Sequence, residues 1–176
     1  FKARVVDVFK GPNGQHIHKV KLLDGVIHVN DDVEVMIDKA RRKEIEANHS
    51  SVHLLQYALR QIVDKDVKQA GSYVDENKLR FDFTCPSKIS NDELVRVEKL
   101  VNNIIKKHVI TSTEVMPLDK AKELGAIALF GEKYQDLVRV VKIDKSIELC
   151  GGTHVANTKD IDSFAIFNFE SKGSNT

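Results

Sequence analysis

The amino-acid sequence predicts an α+β protein with a largely antiparallel sheet and few helices. Short strand-like runs are joined by turns of hairpin length, which favours antiparallel pairing. Only three segments carry the apolar spacing or the end signals of helices. The chain has 176 residues, of which 41% are hydrophobic and 30% are charged. Such values are typical of a globular protein and argue against disorder or a fibrous repeat.

The composition limits the classes of function. Lys and Arg number 27 and Asp and Glu 26, for a formal net charge of +1. The chain therefore lacks the strong positive charge by which many proteins bind nucleic acid, and such a partner would need a local patch or another part of a longer protein. No run approaches about 20 consecutive apolar residues, so we expect no membrane partner. Two cysteines exclude a disulfide framework and indicate a reducing compartment, which we expect to be the cytoplasm.

Residues 1–37 are predicted to form short strands joined by turns. FKARVVDVF alternates, KGPNGQ is a turn, and two or three further apolar runs follow, broken at residues 24–25 and 30–32. So short a segment cannot bury a core alone, and we interpret it as part of a small β-barrel. The chain starts without Met and ends at SKGSNT, so we expect it to be a fragment of a longer protein.

A long helix is predicted to begin after Asp38, which is a suitable N-cap residue, and to run to about residue 65. In its second half, apolar residues recur three and four positions apart, as one buried stripe requires. These residues are Val52, Leu55, Leu59 and Ile62. A hairpin is predicted next, over residues 68–85, with its turn at residues 75–78.

Two shorter helices are predicted after the hairpin. Ser90 and Glu93 have the spacing of a capping box, and the helix that follows carries apolar residues on one side. Residues 117–124 form the third helix, which Gly125 ends. The remaining strand candidates are VITSTEVM, AIALF, LVRVVKI, SIELC and SFAIFNFE.

His49 and His53 form the first half of a candidate metal site, in the sequence HSSVH. Residues four apart on a helix share one face about 5–6 Å apart, so both imidazoles can bind one zinc ion. The Glu of a zinc-protease motif is absent, because Ser50 follows His49, and no general base of that kind is present. The alternative interpretation is an incidental pair of surface histidines.

Cys150 and His154 form the second half, in the sequence CGGTH. The two glycines allow a tight turn, so that a thiolate and an imidazole four residues apart can face one point. Together the two motifs supply four donors, a full tetrahedral set for Zn²⁺. The alternative for this half is a glycine turn beside a buried cysteine.

Three segments together resemble the editing domain of bacterial alanyl-tRNA synthetases: NHSSVHLLQYALR, VKQAGSYVDENKLRFDF and CGGTHV. This domain is related to free-standing alanyl-tRNA editing proteins and to the editing domain of threonyl-tRNA synthetase. The resemblance runs in the correct order and spacing from about Phe1 to the end of the chain. CGGTH is similar to the alanyl type, because the threonyl type usually has Pro where this chain has Thr153. By this resemblance, residues 38–176 are a zinc-dependent tRNA-editing domain.

The resemblance implies a function and partners. The expected reaction is hydrolysis of Ser or Gly wrongly attached to tRNA specific for Ala. The chain would act as part of an alanine-tRNA ligase, whose ATP-binding parts this sequence does not contain. A synthetic pocket built for a methyl group cannot strongly reject one hydroxyl or one missing methyl, so a second, hydrolytic site is needed. The expected cofactor is Zn²⁺, and the expected partners are the mischarged tRNA and the rest of the synthetase.

The resemblance also assigns site residues. The family's zinc ligands correspond to His49, His53, Cys150 and His154. Gln69, Gly71 and Ser72 match its QxGS motif beside the zinc pocket, and Arg80 and Asp82 lie on a strand that lines the same region. Ser72, Arg80 and Asp82 are therefore expected to contact substrate.

Gln69 and Cys150 are the expected catalytic residues. Gln69 would orient water or substrate, with a sheet-edge hydrogen bond as its alternative role. Cys150 would act through the metal, because a thiolate committed to zinc is not available as a nucleophile. Four protein ligands make a closed site. Zinc would therefore expand its coordination or lose one ligand in order to activate water, or it would only anchor the amino or hydroxyl group of the substrate.

Val52 departs from the family pattern, which often has Thr before the second histidine as a candidate sensor of the seryl hydroxyl. Either Ser50, Ser51 or Gln69 would take over this contact, or discrimination of the hydroxyl would be weaker. The two serines are counted as substrate-binding candidates. The basic run at residues 39–43 is either a solvated helix face or a contact with tRNA phosphates.

Three other functions stay open. The chain could be a free-standing deacylase that acts in trans. It could be a zinc-stabilised module that binds tRNA without catalysis, which the set of four ligands permits. The third, a zinc hydrolase of an unrelated small ester, is disfavoured by the ordered set of family motifs.

Overall fold

The computed structural model describes residues 1–128 and 134–171. The chain divides into two compact units, residues 1–37 and 38–176. Each unit is described by itself below. The interpretation of the first as part of a barrel and of the second as a zinc-dependent editing domain stays a prediction.

The first unit contains one antiparallel pair of strands. Strand β1 (Lys2–Lys10) pairs with β2 (His16–Asp24), and the turn between them includes Gly14 at a φ of +79°. Residues 25–37, all of which the structure describes, form no strand, so the further strands predicted after Asp24 are wrong. Their apolar side chains are exposed, at 91% for Val29 and 82% for Met36, and these runs do not join the two-stranded sheet of β1 and β2.

The second unit begins with the long helix α1 (Lys39–Ile62), and its predicted start is confirmed. The Asp38 carboxylate accepts a hydrogen bond from the Arg41 backbone N–H, as an N-cap residue does. The second half of α1 is buried, including Leu55 and Leu59 of the predicted stripe. This buried half contains the HSSVH motif, so the two histidines lie on the part of the helix that faces the protein interior.

A hairpin and a second helix pack near α1. Strands β3 (Lys68–Val74) and β4 (Leu79–Thr84) pair antiparallel, with an irregular register between Gln69 and Gly71. Helix α2 (Asn91–Ile105) begins with the predicted capping box. Helices α1 and α2 share the main hydrophobic core.

The last part of the second unit is a three-stranded sheet. Its strands are β5 (Ser112–Pro117), β6 (Leu137–Ile143) and β7 (Ser146–Leu149), paired antiparallel in the order β5-β6-β7. The short helix α3 (Leu118–Glu123) follows β5. A smaller hydrophobic cluster lies here, formed by Met116, Ala121, Val138, Val140 and Leu149. Strand β7 ends just before the CGGTH motif.

The predicted α+β class with largely antiparallel sheets is confirmed. The last two residues of the predicted strand AIALF, residues 129 and 130, lie outside the described residues. No helix in the described ranges combines the length and the apolar character that a bilayer crossing requires.

The strand predicted at SFAIFNFE is wrong, because side chains of α2 take the backbone groups that a neighbouring strand would use. Asn102 Nδ2 donates to the Phe164 carbonyl at 2.7 Å, and the Phe164 N–H donates to Asn102 Oδ1 at 3.0 Å. The Ile166 N–H donates to Glu98 Oε2 at 2.8 Å. This segment is therefore held as an extended chain against a helix.

Candidate metal centre

Two distant parts of the second unit bring together four side chains of the types that can bind a metal ion. His49 and His53 come from α1, and Cys150 and His154 come from the loop that follows β7. One donor atom from each side chain lies within 4.8 Å of all the others. The cluster could therefore hold one metal ion.

The spacing of the donors fits a tetrahedral ion. Cys150 Sγ lies 3.6 Å from His49 Nε2 and 3.4 Å from His154 Nε2. In a tetrahedron with Zn–S of about 2.3 Å and Zn–N of about 2.0–2.1 Å, neighbouring sulfur and nitrogen atoms are about 3.6 Å apart. The residues present thus fit zinc in donor type and in spacing.

In His49 and His154 the Nδ1 atom contacts an oxygen of the chain, and this contact fixes the orientation of the ring and therefore of Nε2. His49 Nδ1 lies 3.1 Å from the Thr153 carbonyl oxygen, which can only accept, so Nδ1 carries the proton. His154 Nδ1 lies 3.2 Å from Ser50 Oγ. Metal-binding histidines usually hold their outer nitrogen in this way, and both Nε2 atoms are thereby left toward the thiol.

In His53 it is Nε2, and not Nδ1, that lies near an oxygen of the chain. The side chain is buried, and Nε2 lies 3.5 Å from Glu148 Oε2. Its Nδ1 is buried and has no hydrogen-bond partner among the described residues. A buried polar atom without a partner needs an explanation, and a metal ion bound to Nδ1 supplies one.

The electrostatics keep all three imidazoles neutral. Burial is the main cause that lowers the pKa of His49 and His53, and it lowers the pKa of His154 to about 3. The Arg139 guanidinium disfavours the imidazolium forms further. A neutral imidazole has a lone pair for a metal, so these histidines need lose no proton to bind one near neutral pH.

Arg139 holds the CGGTH loop and was not predicted from the sequence. Its Nη1 donates to the Cys150 and Gly152 carbonyls, each at 2.7 Å. The Gly152 N–H lies 3.4 Å from Cys150 Sγ. The sequence carried one indirect signal, since Arg139 is a charged residue inside the apolar strand LVRVVKI.

Glu148 and Ser146 were also not predicted from the sequence as residues of the site. Glu148 is only 5% exposed, and burial raises its pKa to about 8, while a hydrogen bond from Ser146 opposes that rise. Ser146 Oγ lies 3.2 Å from Glu148 Oε1 and 3.3 Å from the His53 carbonyl oxygen. An acidic residue two positions before the cysteine of a predicted metal motif was the available signal.

Gln69 lines a cavity of about 190 Å³ together with α1 residues that include Gln56 and Arg60. Its Nε2 donates to Ser72 Oγ at 3.2 Å, so two members of the QxGS motif contact each other. Gln56 is buried, and its Oε1 has no hydrogen-bond partner among the described residues. The catalytic role of Gln69 stays a prediction.

The predicted substrate-binding residues fall into two groups. Ser50 and Ser51 are buried: Ser50 Oγ accepts from the Val155 N–H, and Ser51 Oγ donates to a carbonyl of its own helix. Arg80 and Asp82 are exposed and form an ion pair on β4, with 3.1 Å between Nε and Oδ2. Ser72 is exposed as well. Their contacts with substrate stay predictions.

The basic run at residues 39–43 lies at the exposed start of α1, and Arg41 forms an ion pair with Glu76 at 3.1 Å. One of its charges is thus paired within the chain. A contact of this run with tRNA stays a prediction.

Comparisons with known proteins agree with the resemblance. Residues 138–176 match the family model described as the threonyl and alanyl tRNA synthetase second additional domain. An alanine–tRNA ligase of Listeria monocytogenes serotype 4b (strain F2365) is 46% identical over 175 residues, 99% of this chain and 20% of the relative. One from Halalkalibacterium halodurans is 46% identical over 165 residues, 93% of this chain and 19% of the relative. One from Crocosphaera subtropica is 48% identical over 164 residues, again 93% of this chain, and 18% of the relative.

The chain therefore spans about a fifth of the length of the curated relatives that it matches. The match to these ligases covers nearly the whole chain, and the matched family model includes the Cys150 and His154 half of the donor cluster. On this similarity, the chain belongs to the editing-domain family of the alanyl-tRNA synthetases.

Proposed function

We propose that the chain hydrolyses the ester bond that joins Ser or Gly to tRNA specific for Ala, as part of a longer alanine–tRNA ligase. The observation that carries this proposal is the donor cluster of His49, His53, Cys150 and His154, in a chain that belongs to this family. Zinc is the proposed ion. The mischarged tRNA and the rest of the synthetase are the proposed partners.

Ester hydrolysis requires a positioned water and stabilisation of the negative charge that develops on the carbonyl oxygen. Zinc, when bound, would lower the pKa of a nearby water and polarise the ester carbonyl. The chain holds three neutral imidazoles and a thiol ready for the ion. Arg139 keeps the loop of two of these donors in place through the Cys150 and Gly152 carbonyls.

Gln69 is the proposed positioning group for water or substrate. Because its Nε2 donates to Ser72 Oγ, its amide oxygen is the atom that would accept a hydrogen bond from a water or from the amino group of the substrate. The cavity beside Gln69 gives such a molecule a place to bind next to α1. The buried Ser50 would support His154 rather than contact substrate.

A second candidate is a zinc-stabilised module that binds tRNA without hydrolysing it. The observation that favours it is the presence of four protein donors, which can saturate a tetrahedral ion and leave no open position for water. Removal of zinc distinguishes the two candidates. A structural module would unfold without the ion, whereas a catalytic one could lose hydrolysis and stay folded.

The test measures hydrolysis by the zinc-loaded chain. The substrate is seryl-tRNA specific for Ala, compared with alanyl-tRNA specific for Ala and with seryl-tRNA specific for Thr. His49→Ala should abolish hydrolysis of the first substrate. His16→Ala is the matched control, because it removes an exposed histidine on β2 that is outside the cluster. Zinc-loaded, folded protein that leaves seryl-tRNA intact would contradict the proposal and favour the non-catalytic module.

A further inference from the structure

We propose that Glu148 is a positioning residue for the metal centre, where its carboxylate fixes the ring of His53 so that Nδ1 faces the bound ion. The inference rests on metal binding by the cluster under the proposed function. Glu148 is not one of the four donors, and the role inferred for it is to orient His53 and not to take part in hydrolysis.

The orientation of the His53 ring is the first argument. Glu148 Oε2 lies 3.5 Å from Nε2, whereas the buried Nδ1 has no hydrogen-bond partner within residues 1–128 and 134–171. A carboxyl oxygen that accepts a hydrogen bond from the Nε2–H keeps the ring proton on Nε2 and leaves the lone pair on Nδ1. Nδ1 is then the only nitrogen of this ring able to bind an ion.

The comparison with the other two histidines is the second argument. His49 has its outer nitrogen on the Thr153 carbonyl, and His154 has its outer nitrogen on Ser50 Oγ. Glu148 occupies the equivalent place for His53, and it is the one carboxyl group among the three partners that the structure describes. All three imidazoles therefore have an outer partner, the arrangement typical of metal-binding histidines.

The fixation of Glu148 itself is the third argument. Ser146 Oγ lies 3.2 Å from Glu148 Oε1 and 3.3 Å from the His53 carbonyl oxygen. The one hydrogen of this hydroxyl can be donated to either oxygen, so the hydroxyl lies between the carboxyl group and the backbone of His53. Ser146 and Glu148 project from the same face of β7, because they are two positions apart on one strand. Both are buried, which restricts their rotation.

Burial of a carboxylate is costly for folding unless the group is well paired. An apolar side chain of similar length would fill the same space without this cost. The presence of Glu at this place is therefore better explained by a requirement for an acceptor at His53 than by packing.

The experiment compares zinc affinity across matched variants of the 176-residue chain, by competition with a chelator. Glu148→Met keeps the side-chain length and removes the acceptor, and we expect zinc affinity to fall by about 10- to 100-fold. Glu148→Gln keeps an oxygen that can accept from Nε2, so its affinity should lie between those of Glu148→Met and the unsubstituted chain.

Glu98→Met is the control for a general loss of packing. Glu98 also uses a carboxylate oxygen to accept a hydrogen bond, from the Ile166 N–H at 2.8 Å, but it lies on α2, outside the donor cluster. We expect this variant to lower thermal stability without a change in zinc affinity.

A second readout is the tautomer of His53, measured by ¹⁵N NMR of the metal-free chain. The unsubstituted protein and Glu148→Gln should keep the proton on Nε2, and Glu148→Met should lose this preference. If Glu148→Met does not fold, the tautomer and the zinc affinity of Glu148→Gln decide. Zinc binding by folded Glu148→Met that equals the unsubstituted chain, or a Glu148→Gln chain with its proton on Nδ1, would overturn the inference.

Neither readout uses hydrolysis, so the outcomes separate the two proposals. Zinc bound with the expected order of affinities but without hydrolysis overturns the proposed reaction and leaves the role of Glu148 intact. An unsubstituted chain that binds no zinc overturns both the cofactor and the positioning role.

Discussion

Gly152 lies against the imidazole ring of His49, and a side chain at this position would overlap the ring. A Cβ atom built on Gly152 would stand 2.7 Å from His49 Nδ1, closer than such atoms approach in real proteins. The second glycine of CGGTH is therefore required for the approach of the loop to α1, and not only for its turn.

Gly152→Ala should lower zinc affinity by about 10- to 100-fold, the range for changes beside metal ligands, because the loop must move away from His49. Chelator competition measures this. Gly151→Ala is the matched control, since a Cβ at Gly151 would meet no atom within 4 Å. Equal zinc affinities for the two variants would contradict the explanation.

Arg139→Met should destabilise the fold and weaken zinc binding, because the Cys150 and Gly152 carbonyls lose a charged donor. Hydrogen bonds to a charged group are worth about 1.5–3 kcal/mol each, so the loss measured by urea unfolding should be in this range or above.

Arg80→Met provides the comparison for this experiment, because it removes an exposed ion pair with Asp82. Exposed pairs contribute about 0–1 kcal/mol. A loss of unfolding free energy as large as that of Arg139→Met would show that any arginine removal has the same effect.

Asn102→Ala should detach the segment that begins near Phe164, because its amide both donates to and accepts from the backbone of that residue. The expected cost is about 1–3 kcal/mol of unfolding free energy, with faster hydrogen exchange at the Phe164 amide. Asn103→Ala, at an exposed neighbouring position, should stay within about 0.5 kcal/mol of the unsubstituted chain. Unchanged exchange at Phe164 in Asn102→Ala would refute this role.

Glu93→Gln should reduce the dependence of stability on acid pH. The Ser90 backbone N–H donates to the Glu93 carboxylate at 2.8 Å, and this bond, followed by the Ser90 hydroxyl, lowers the pKa of Glu93. A lowered pKa means that the stabilisation is present above the ordinary value of 4.5 and is lost as the pH falls through the folded value.

Thermal unfolding between pH 7 and pH 3 tests this prediction. The difference between Glu93→Gln and the unsubstituted chain should be largest near neutral pH and should shrink on acidification. A difference that is the same at both ends of the range would show that the capping carboxylate carries no pH-dependent stabilisation.

The features predicted correctly from the sequence are local ones. Asp38 and the Ser90–Glu93 pair are signals of at most four consecutive residues that predict where a helix starts, and the structure confirms both starts. The two halves of the donor cluster are also short motifs, HSSVH and CGGTH, which the fold brings within reach of one ion. Each of these depends on spacing along the chain, which a sequence displays directly.

The features that were missed depend on contacts between distant segments. The contacts of Glu148 with His53 and of Asn102 with Phe164 join residues far apart in sequence, and no short motif announces them. The Asn102 contact also explains the wrong strand, since alternation in SFAIFNFE indicates extended backbone but not what pairs with it. The apolar runs after Asp24 failed for a related reason, because a strand needs a pairing partner and the two-stranded sheet of β1 and β2 does not include these runs.

An ion at the cluster would act as a cross-link between the two ends of a long loop. Cys150 and His49 are 101 residues apart in sequence, and β3, β4, α2, β5, α3, β6 and β7 all lie between them. A cross-link that closes a loop of about 100 residues removes about 4.7 kcal/mol of chain entropy from the unfolded ensemble in the simplest treatment. The four donors meet only after the intervening elements have found their places, so metal capture would come late in folding and would slow unfolding more than it speeds folding.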